Sequence, residues 1–203
     1  FGEVVLEYFL ETFKSRKATL NPIMSNSTPT ARIKIGYDLA EVCRAAAGEI
    51  QRMADRAATP AKPLTFALSG GSTPRSLHAI LAGDPAVRDR LPWHRLHFFW
   101  GDERHVPSDD PQSNYRMAYD TLLSLAPVPT QNIHRVPGEE PDAALAAEKY
   151  EQELQAFFKL EAGQPPRFDC ILLGMGPDGH TASLFPGTEA LHETKRLVVA
   201  NWV

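Results

Sequence analysis

The sequence predicts an α/β fold with an open, mainly parallel sheet and helices on both faces of that sheet. Short apolar segments alternate with amphipathic helical segments along the chain, which is the order of βα units. Several of these segments, "FDCILLG" among them, are apolar at nearly every position, as in strands that are covered on both faces. The predicted sheet is therefore Rossmann-like. It is also predicted to be truncated at its C-terminus, because the apolar run "RLVVANWV" ends the chain without a turn.

Composition narrows the class of protein. The chain has 203 residues, 43% of them hydrophobic, which is enough for one domain with a sizeable core. The net charge of -4 gives no electrostatic reason to bind nucleic acid or an anionic membrane. No apolar run approaches the roughly 20 residues of a membrane span, and glutamates interrupt the apolar start, unlike a signal-peptide core. We therefore expect a cytoplasmic protein without nucleic-acid or membrane partners.

Residues 1–30 are predicted to be an extension or linker, and residues 31–203 the domain itself. Four apolar residues recur at helical spacing near the start of the chain, ahead of a polar stretch. They are Phe1, Val5, Phe9 and Phe13. A natural start at Met24 would make the preceding residues a coding remnant or a tag, and a docking helix is the alternative.

The first part of the domain contains two predicted strand-to-helix units. The segment "ARIKIGY" has strand character, and Asp38 followed by Glu41 forms a capping box that starts an amphipathic helix. The segment "LTFALS" is a second short strand. A helix follows from Pro74 to about Leu81, with proline at the first helical position, where it is tolerated best.

The second part of the domain repeats this order. "RLHFFW" is a predicted strand, and Ser113 is a plausible N-cap for a helix that runs to about Leu125. A further helix covers residues 141–160, and "FDCILLG" is the strand that follows it. In open parallel sheets, ligands bind beyond the C-terminal ends of the strands. The polar loops that occupy this position are therefore predicted to face one cleft; they are residues 69–75, 101–114 and 174–183.

The first loop, "SGGSTPR", is typical of a phosphate site. Gly70 and Gly71 let backbone N–H groups approach an anion closely, and Ser72 and Thr73 add hydroxyl donors. The helix that follows points its positive end the same way, and Arg75 adds a charge. The loop lacks the spacing and the lysine of a Walker motif. The alternative is a tight turn that needs glycine only for its geometry.

The second loop, "GDERHVPSDDPQSN", places Asp102 and Arg104 directly beyond a strand end, where a rigid sheet can aim them at a substrate. Asn114 is a weaker candidate for contact with a sugar. A loop so rich in charge is alternatively no more than solvated surface.

The third loop fits the G-x-G-x-x-G pattern through Gly174, Gly176 and Gly179. A dinucleotide site would also need an acid at the end of the following strand. That strand ends in Asn201 and Trp202 instead. The sequence therefore predicts no nucleotide cofactor, and Gly176 is predicted to lie beside the substrate.

The same glycines can make a sharp turn that presents His180 at a helix N-terminus, with Asp178 two residues away. Histidine is the side chain whose pKa suits proton transfer near neutrality. His180 is therefore a candidate general base. No metal is predicted, because the other histidines do not form ligand spacings; His94 and His97, for example, would point to opposite faces of a strand.

Three stretches together resemble the 6-phosphogluconolactonase family: "ALSGGSTPRSLH", "FFWGDERHVPSDDPQSNY" and "LLGMGPDGHTASLFPGT", in this order. The resemblance covers residues 31–203. Glucosamine-6-phosphate deaminases/isomerases of the wider family share the Gly-rich loop and the D-G-H triplet. They have D-E-Y in the second loop and D-G-H-I-A-F-N-E-P in the third, whereas "DER" and "DGHTASLFP" are the lactonase form.

The resemblance implies hydrolysis of 6-phospho-D-glucono-1,5-lactone to 6-phosphogluconate, in the oxidative pentose phosphate pathway. It implies that His180 activates the water that attacks C1, and that Asp178 holds the loop or the imidazole. Asp102 would contact sugar hydroxyls or the water. Phosphate would lie on the Gly-rich loop with help from Arg75 or Arg104, and in this family from a lysine beyond the present end of the chain.

Three other functions stay open. A deaminase/isomerase-like enzyme would use the same sugar-phosphate site. A non-catalytic sugar-phosphate-binding module would keep the Gly-rich loop and could do without His180. A nicotinamide-dependent oxidoreductase would need the third loop to be a true cofactor cradle, which titration with NADH would test.

Overall fold

A computed structural model describes residues 2–6, 33–56 and 62–203. Within these residues the strands form a parallel and an antiparallel sheet, each of three strands. The strands are β1 (Gly2–Leu6), β2 (Leu64–Leu68), β3 (Leu96–Trp100), β4 (Asp102–Arg104), β5 (Cys170–Ile171) and β6 (Val198–Trp202). The parallel sheet has the order β3-β2-β5, and the antiparallel sheet has the order β4-β1-β6. An open α/β fold with a parallel sheet is thus confirmed.

Helices connect and cover these strands. They are α1 (Leu39–Arg56), α2 (Ser72–Gly83), α3 (Pro85–Arg88), α4 (Asn114–Ala118) and α5 (Ala143–Phe158). The predicted capping box forms at the start of α1, where Asp38 accepts the Glu41 N–H at 2.7 Å. Ser113 caps α4 as predicted, because its hydroxyl accepts the Arg116 N–H at 3.1 Å. No helix among the described residues is long and apolar enough to cross a bilayer.

The core lies around β2 and β3. All five residues of β2 are buried, as the apolar run predicts for a strand that is covered on both faces. Trp100, at the end of β3, is fully buried. Its backbone N–H donates to the Tyr150 hydroxyl at 2.9 Å, and that hydroxyl donates to the Trp100 carbonyl at 3.0 Å. Helix α5 therefore fixes the end of the strand from which the second loop departs.

Backbone hydrogen bonds align the strand ends at one edge of the parallel sheet. The Gly101 N–H donates to the Leu68 carbonyl at 2.8 Å, and the Leu172 N–H donates to the Ala67 carbonyl at 2.9 Å. Asp169 also accepts from the Thr65 N–H at 3.0 Å, which fastens β5 to β2. The three polar loops consequently leave the sheet side by side.

Several predicted elements differ from the structure. Residues 33–36 of "ARIKIGY" form no strand, and Ile33 and Ile35 are exposed, because no strand in the described part of the chain pairs with them. Strand β5 has two residues where a longer strand was predicted, because only Cys170 and Ile171 pair in register with residues of β2. The helix after Ser113 ends at Ala118 as an α-helix and continues as a π-helix.

The chain does not form the helix predicted at His180. The Leu184 N–H donates to the Thr181 carbonyl at 3.0 Å, and Ala182 between them has a φ of 50°. A positive φ takes the backbone off the right-handed helical path. His180 therefore lies in a loop and not at a helix N-terminus.

The two ends of the chain meet in the antiparallel sheet. The last strand, β6, runs antiparallel to β1, with Gly2 opposite Trp202 and Leu6 opposite Val198. Residues 2–6 are thus extended, although apolar residues in this region recur at helical spacing. The rest of the segment predicted to be an extension, up to residue 30, lies outside the described residues.

Candidate active site

One cleft of about 300 Å³ lies at the C-terminal edge of the parallel sheet, and all three predicted loops contribute to it. Its walls are formed by Ser69, Gly70, Gly71, Ser72, Thr73, Pro74, Asp102, Arg104, Asn114, Gly174, Met175, Gly176, His180 and Ala182. Every predicted site residue lines this cleft except Asp178, which contacts His180, and Arg75, which is exposed and does not line it.

The Gly-rich loop provides an open helix N-terminus. Gly71 precedes α2 with a φ of 104°, a conformation that favours glycine. None of the described side chains caps this helix end. Ser72 and Thr73 of the first turn line the cleft. Unsatisfied N–H groups and the positive end of the helix dipole make this wall suited to an anion.

Asn114 joins the first loop to the second. Its side-chain amide donates to the Asp102 carbonyl at 3.0 Å and to the Asp102 carboxylate at 3.4 Å. A Cβ at Gly70 would lie 2.0 Å from the Asn114 side-chain oxygen, so only glycine fits there. Both Asp102 and Asn114 are buried at the cleft wall. Asn114 thus holds Asp102 in place and packs against the Gly-rich loop.

Asp102 also joins the second loop to the third. Its carboxylate accepts the Ser183 hydroxyl at 2.6 Å, although the two residues are 81 positions apart in the chain. Ser183 is fully buried. Local sequence patterns do not indicate Ser183, because a contact over this separation leaves no local pattern.

Glu103 is a second residue beside the cleft that local sequence patterns do not indicate. Its carboxylate is 2% exposed and accepts the N–H groups of Arg104, Asn114 and Tyr115 at 2.7 to 2.8 Å. The Ser113 hydroxyl donates to it at 3.2 Å. Burial raises the pKa of Glu103 to about 6 in spite of these four donors. The available signal was its position next to Asp102 in a strand. Successive side chains in a strand point to opposite faces, so Glu103 points away from the cleft that Asp102 faces.

His180 and Asp178 form a pair within the third loop. The His180 Nδ1 lies 2.5 Å from the Asp178 carboxylate, and this hydrogen bond holds the pKa of Asp178 below its usual value. An ionised carboxylate only accepts hydrogen bonds, so the proton of the neutral imidazole is on Nδ1. The Nε2 atom is then the basic nitrogen.

Packing fixes the His180 ring. The ring stacks on Phe185 with 4.3 Å between centroids. A Cβ at Gly176 would lie 2.1 Å from the ring. The Gly176 N–H also donates to the His180 carbonyl at 2.8 Å. The second glycine of the G-x-G-x-x-G pattern therefore makes room for the imidazole.

The third loop does not have the partners of a dinucleotide site. The buried Asn201, which stands where an acid would be needed, donates to the Ser183 carbonyl at 2.8 Å and to the Thr188 hydroxyl at 3.2 Å. Its side chain is thus used to hold the loop. Among the described residues, no group of three or more His, Cys, Asp or Glu side chains is placed to hold a metal ion.

The arrangement brings a basic nitrogen and an anion-binding loop into one small cleft. A substrate that carries a phosphate on one end could be held by the Gly-rich loop while a carbonyl carbon at its other end faces His180. Proton transfer to Nε2 needs no metal or nucleotide in this geometry.

Comparisons with known proteins agree with this geometry. The family model described as glucosamine-6-phosphate isomerases/6-phosphogluconolactonase matches residues 37–202. The 6-phosphogluconolactonase of Nostoc sp. is 50% identical over 134 residues, which are 66% of this chain and 54% of the relative. That of Haemophilus influenzae is 43% identical over 139 residues, 68% of this chain and 56% of the relative. The chain thus spans about half the length of these relatives.

Solved structures give the same result. The structure of 6-phosphogluconolactonase from Trypanosoma brucei superposes with a TM-score of 0.67 and 32% identity, over 77% of this chain and 64% of that chain. A monomeric glucosamine-6-phosphate deaminase shares the fold, with a TM-score of 0.62 and 22% identity over 75% of this chain. Because the family model covers nearly all of the domain and its cleft, the chain belongs to the glucosamine-6-phosphate isomerase/6-phosphogluconolactonase family.

Proposed function

We propose that this chain carries the site that hydrolyses 6-phospho-D-glucono-1,5-lactone to 6-phosphogluconate. The observation that carries the proposal is the His180–Asp178 pair, which shares one cleft with the Gly-rich loop at the start of α2. Relatives named 6-phosphogluconolactonase that are 43 to 50% identical support this substrate. The partner is a small molecule, and the compartment that we propose is the cytoplasm.

Lactone hydrolysis requires a general base and a substrate whose ester group is held next to that base. Nε2 of His180 takes a proton from water, and the water oxygen attacks C1 of the lactone. The resulting oxyanion collapses, the bond between C1 and the ring oxygen breaks, and the ring oxygen leaves as a hydroxyl after taking up a proton. The products are a carboxylate and a proton. A positioned general base of this kind contributes about 10²- to 10⁴-fold in rate.

The Gly-rich loop and its neighbours in the cleft would select the substrate. The N–H groups at the start of α2, with the hydroxyls of Ser72 and Thr73, would bind the phosphate. Arg104 also lines the cleft and is the arginine that we assign to the phosphate in preference to Arg75, which lies outside it. The carboxylate of Asp102 would accept a hydrogen bond from a sugar hydroxyl at the cleft wall.

Lactone hydrolysis by purified protein tests the proposal directly. His180→Ala is expected to lower kcat by at least about 10²-fold while KM stays within a few-fold, because the base acts mainly in the transition state. His94→Ala is the matched control, since His94 is exposed and does not line the cleft.

The rate must be compared with spontaneous lactone opening at the same pH. If wild-type protein did not exceed that rate, or if His180→Ala retained full kcat, the proposed reaction or the proposed base would be wrong. A wild type that opens unphosphorylated gluconolactone equally well would refute the phosphate site alone.

A further inference from the structure

We propose that Ser183 is a positioning residue that holds the His180 loop in its active conformation by anchoring it to Asp102. The inference rests on the proposed function for its kinetic test only, because the anchoring itself can be measured without substrate. Ser183 does not line the cleft and acts through its neighbours.

The anchor is a buried hydrogen bond between two loops. The Ser183 hydroxyl donates to the Asp102 carboxylate at 2.6 Å, and Ser183 is fully buried. Charge-assisted hydrogen bonds of this length are stronger than those between neutral groups. The Ser183 carbonyl in turn accepts the Asn201 amide at 2.8 Å. Ser183 is thus fastened on one side to the second loop and on the other to β6.

The backbone beside Ser183 is strained, and the anchor opposes its relaxation. Ala182 has a φ of 50°, a conformation that costs energy in residues other than glycine. The residue before Ala182, Thr181, is also held in place, because its hydroxyl donates to the Gly174 carbonyl at 2.8 Å. Fixed points on both sides therefore hold Ala182 in this conformation. His180 directly precedes this turn, so its direction depends on the turn.

Ser183→Ala removes the anchor with the loss of a single oxygen atom. We expect kcat for the lactone to fall about 10- to 100-fold with KM changed less than about three-fold. The base is displaced, whereas the phosphate site is untouched and the Asn114 amide still donates to Asp102. Ser183→Cys fills the same space with a weak donor and should give an intermediate kcat. Ser124→Ala, at an exposed position, should have wild-type kcat.

A second substitution separates positioning from general support of the fold. Ala182→Gly removes the backbone strain. In the Ser183→Ala background it should restore part of the lost kcat, because the turn then needs less restraint. A protein in which Ser183 only stabilised the fold would lose melting temperature without loss of kcat and would show no such rescue. That outcome would overturn the proposal.

NMR makes the test independent of the reaction. The imidazole resonances of His180 should shift in Ser183→Ala and Ser183→Cys relative to wild type and to Ser124→Ala. Unchanged His180 resonances in a folded Ser183 variant would refute the anchor. An inactive wild type whose His180 resonances still respond to Ser183 would refute the proposed reaction but not the anchor.

Discussion

At the scale of the residue, the cleft depends on a glycine that has no Cβ. Gly174 and Gly176 belong to the same sequence pattern, yet their surroundings differ. A Cβ at Gly176 would lie 2.1 Å from the His180 ring and 2.8 Å from the Asp178 carboxylate. A Cβ at Gly174 would meet nothing within 4 Å. The pattern therefore contains one glycine that is required by the imidazole and one that is not.

Gly176→Ala is expected to displace the His180 ring and to lower kcat by at least about 10-fold, because a contact under 3 Å forces the ring to move and misplacement of a catalytic group is costly. Gly174→Ala is the matched substitution and should have a much smaller effect. The measurement is kcat of both variants beside wild type. Equal losses in the two variants would show that loop flexibility matters and not room for the ring.

At the scale of the element, the sequence predicts what its local patterns encode. Strands β2 and β3 and helices α1, α2 and α5 lie within a few residues of their predicted bounds, because each has a strong period or a cap. His180 and the Gly-rich loop were found from local turn chemistry. The strand predicted in "ARIKIGY" was wrong because alternation cannot reveal whether a partner strand exists. Ser183 and Asp102 meet across 81 positions, and no local pattern records such a contact.

Glu103 illustrates how a single side chain organises an element. It collects N–H groups from both ends of the loop that joins β4 to α4. The buried carboxylate thus closes the loop and aligns Asn114 with Asp102. Because its pKa is raised from 4.5 to about 6 in the folded protein, the folded state binds a proton more readily than the unfolded state. Its contribution to stability is therefore present at low pH and is lost as pH rises through about 6.

Glu103→Gln should remove this dependence on pH. The free energy of unfolding of wild type, relative to that of Glu103→Gln, is expected to fall by about 2 kcal/mol in total as pH rises from well below 4.5 to well above 6. The amide also presents N–H groups to backbone donors, so the variant should be less stable at every pH. Denaturant unfolding at several pH values provides the measurement. Parallel curves for the two proteins would contradict the raised pKa.

At the scale of the whole molecule, a second buried group opposes Glu103. His78 on α2 is fully buried; its Nδ1 lies 3.2 Å from the Thr121 hydroxyl, and no described residue bonds its Nε2. Burial, and to a lesser extent the charge of Arg75, lowers the pKa of His78 from 6.5 to about 4. The folded state therefore prefers the neutral imidazole. The contribution of His78 to stability is present above pH 6.5 and is lost as pH falls through about 4.

These two groups titrate in overlapping ranges with opposite signs. Acidification from pH 6 to 4.5 strengthens the fold through Glu103 and weakens it through His78. Asp178 and Glu193 have pKa values below their usual range, held there by hydrogen bonds, so their effects fall at lower pH. Burial and the neighbouring His134 also lower the pKa of His97, so acidification weakens the fold through that residue as well. The contribution of Glu103 is therefore separated only by comparison of wild type with variants.

His78→Asn keeps a donor for Thr121 and removes the titration of the imidazole. Relative to this variant, wild type is expected to lose about 3 kcal/mol of unfolding free energy as pH falls from about 6.5 to about 4. Relative to the double variant with Glu103→Gln, His78→Asn should gain stability as pH falls from about 6 to about 4.5, because Glu103 then takes up a proton more readily in the folded state. The double variant should lack the contributions of both residues, and His94→Asn, at an exposed position, should follow wild type. If His78→Asn and wild type instead responded identically to acid, the pKa of His78 would be the same in the folded and unfolded states, and the opposition between the two groups would not exist.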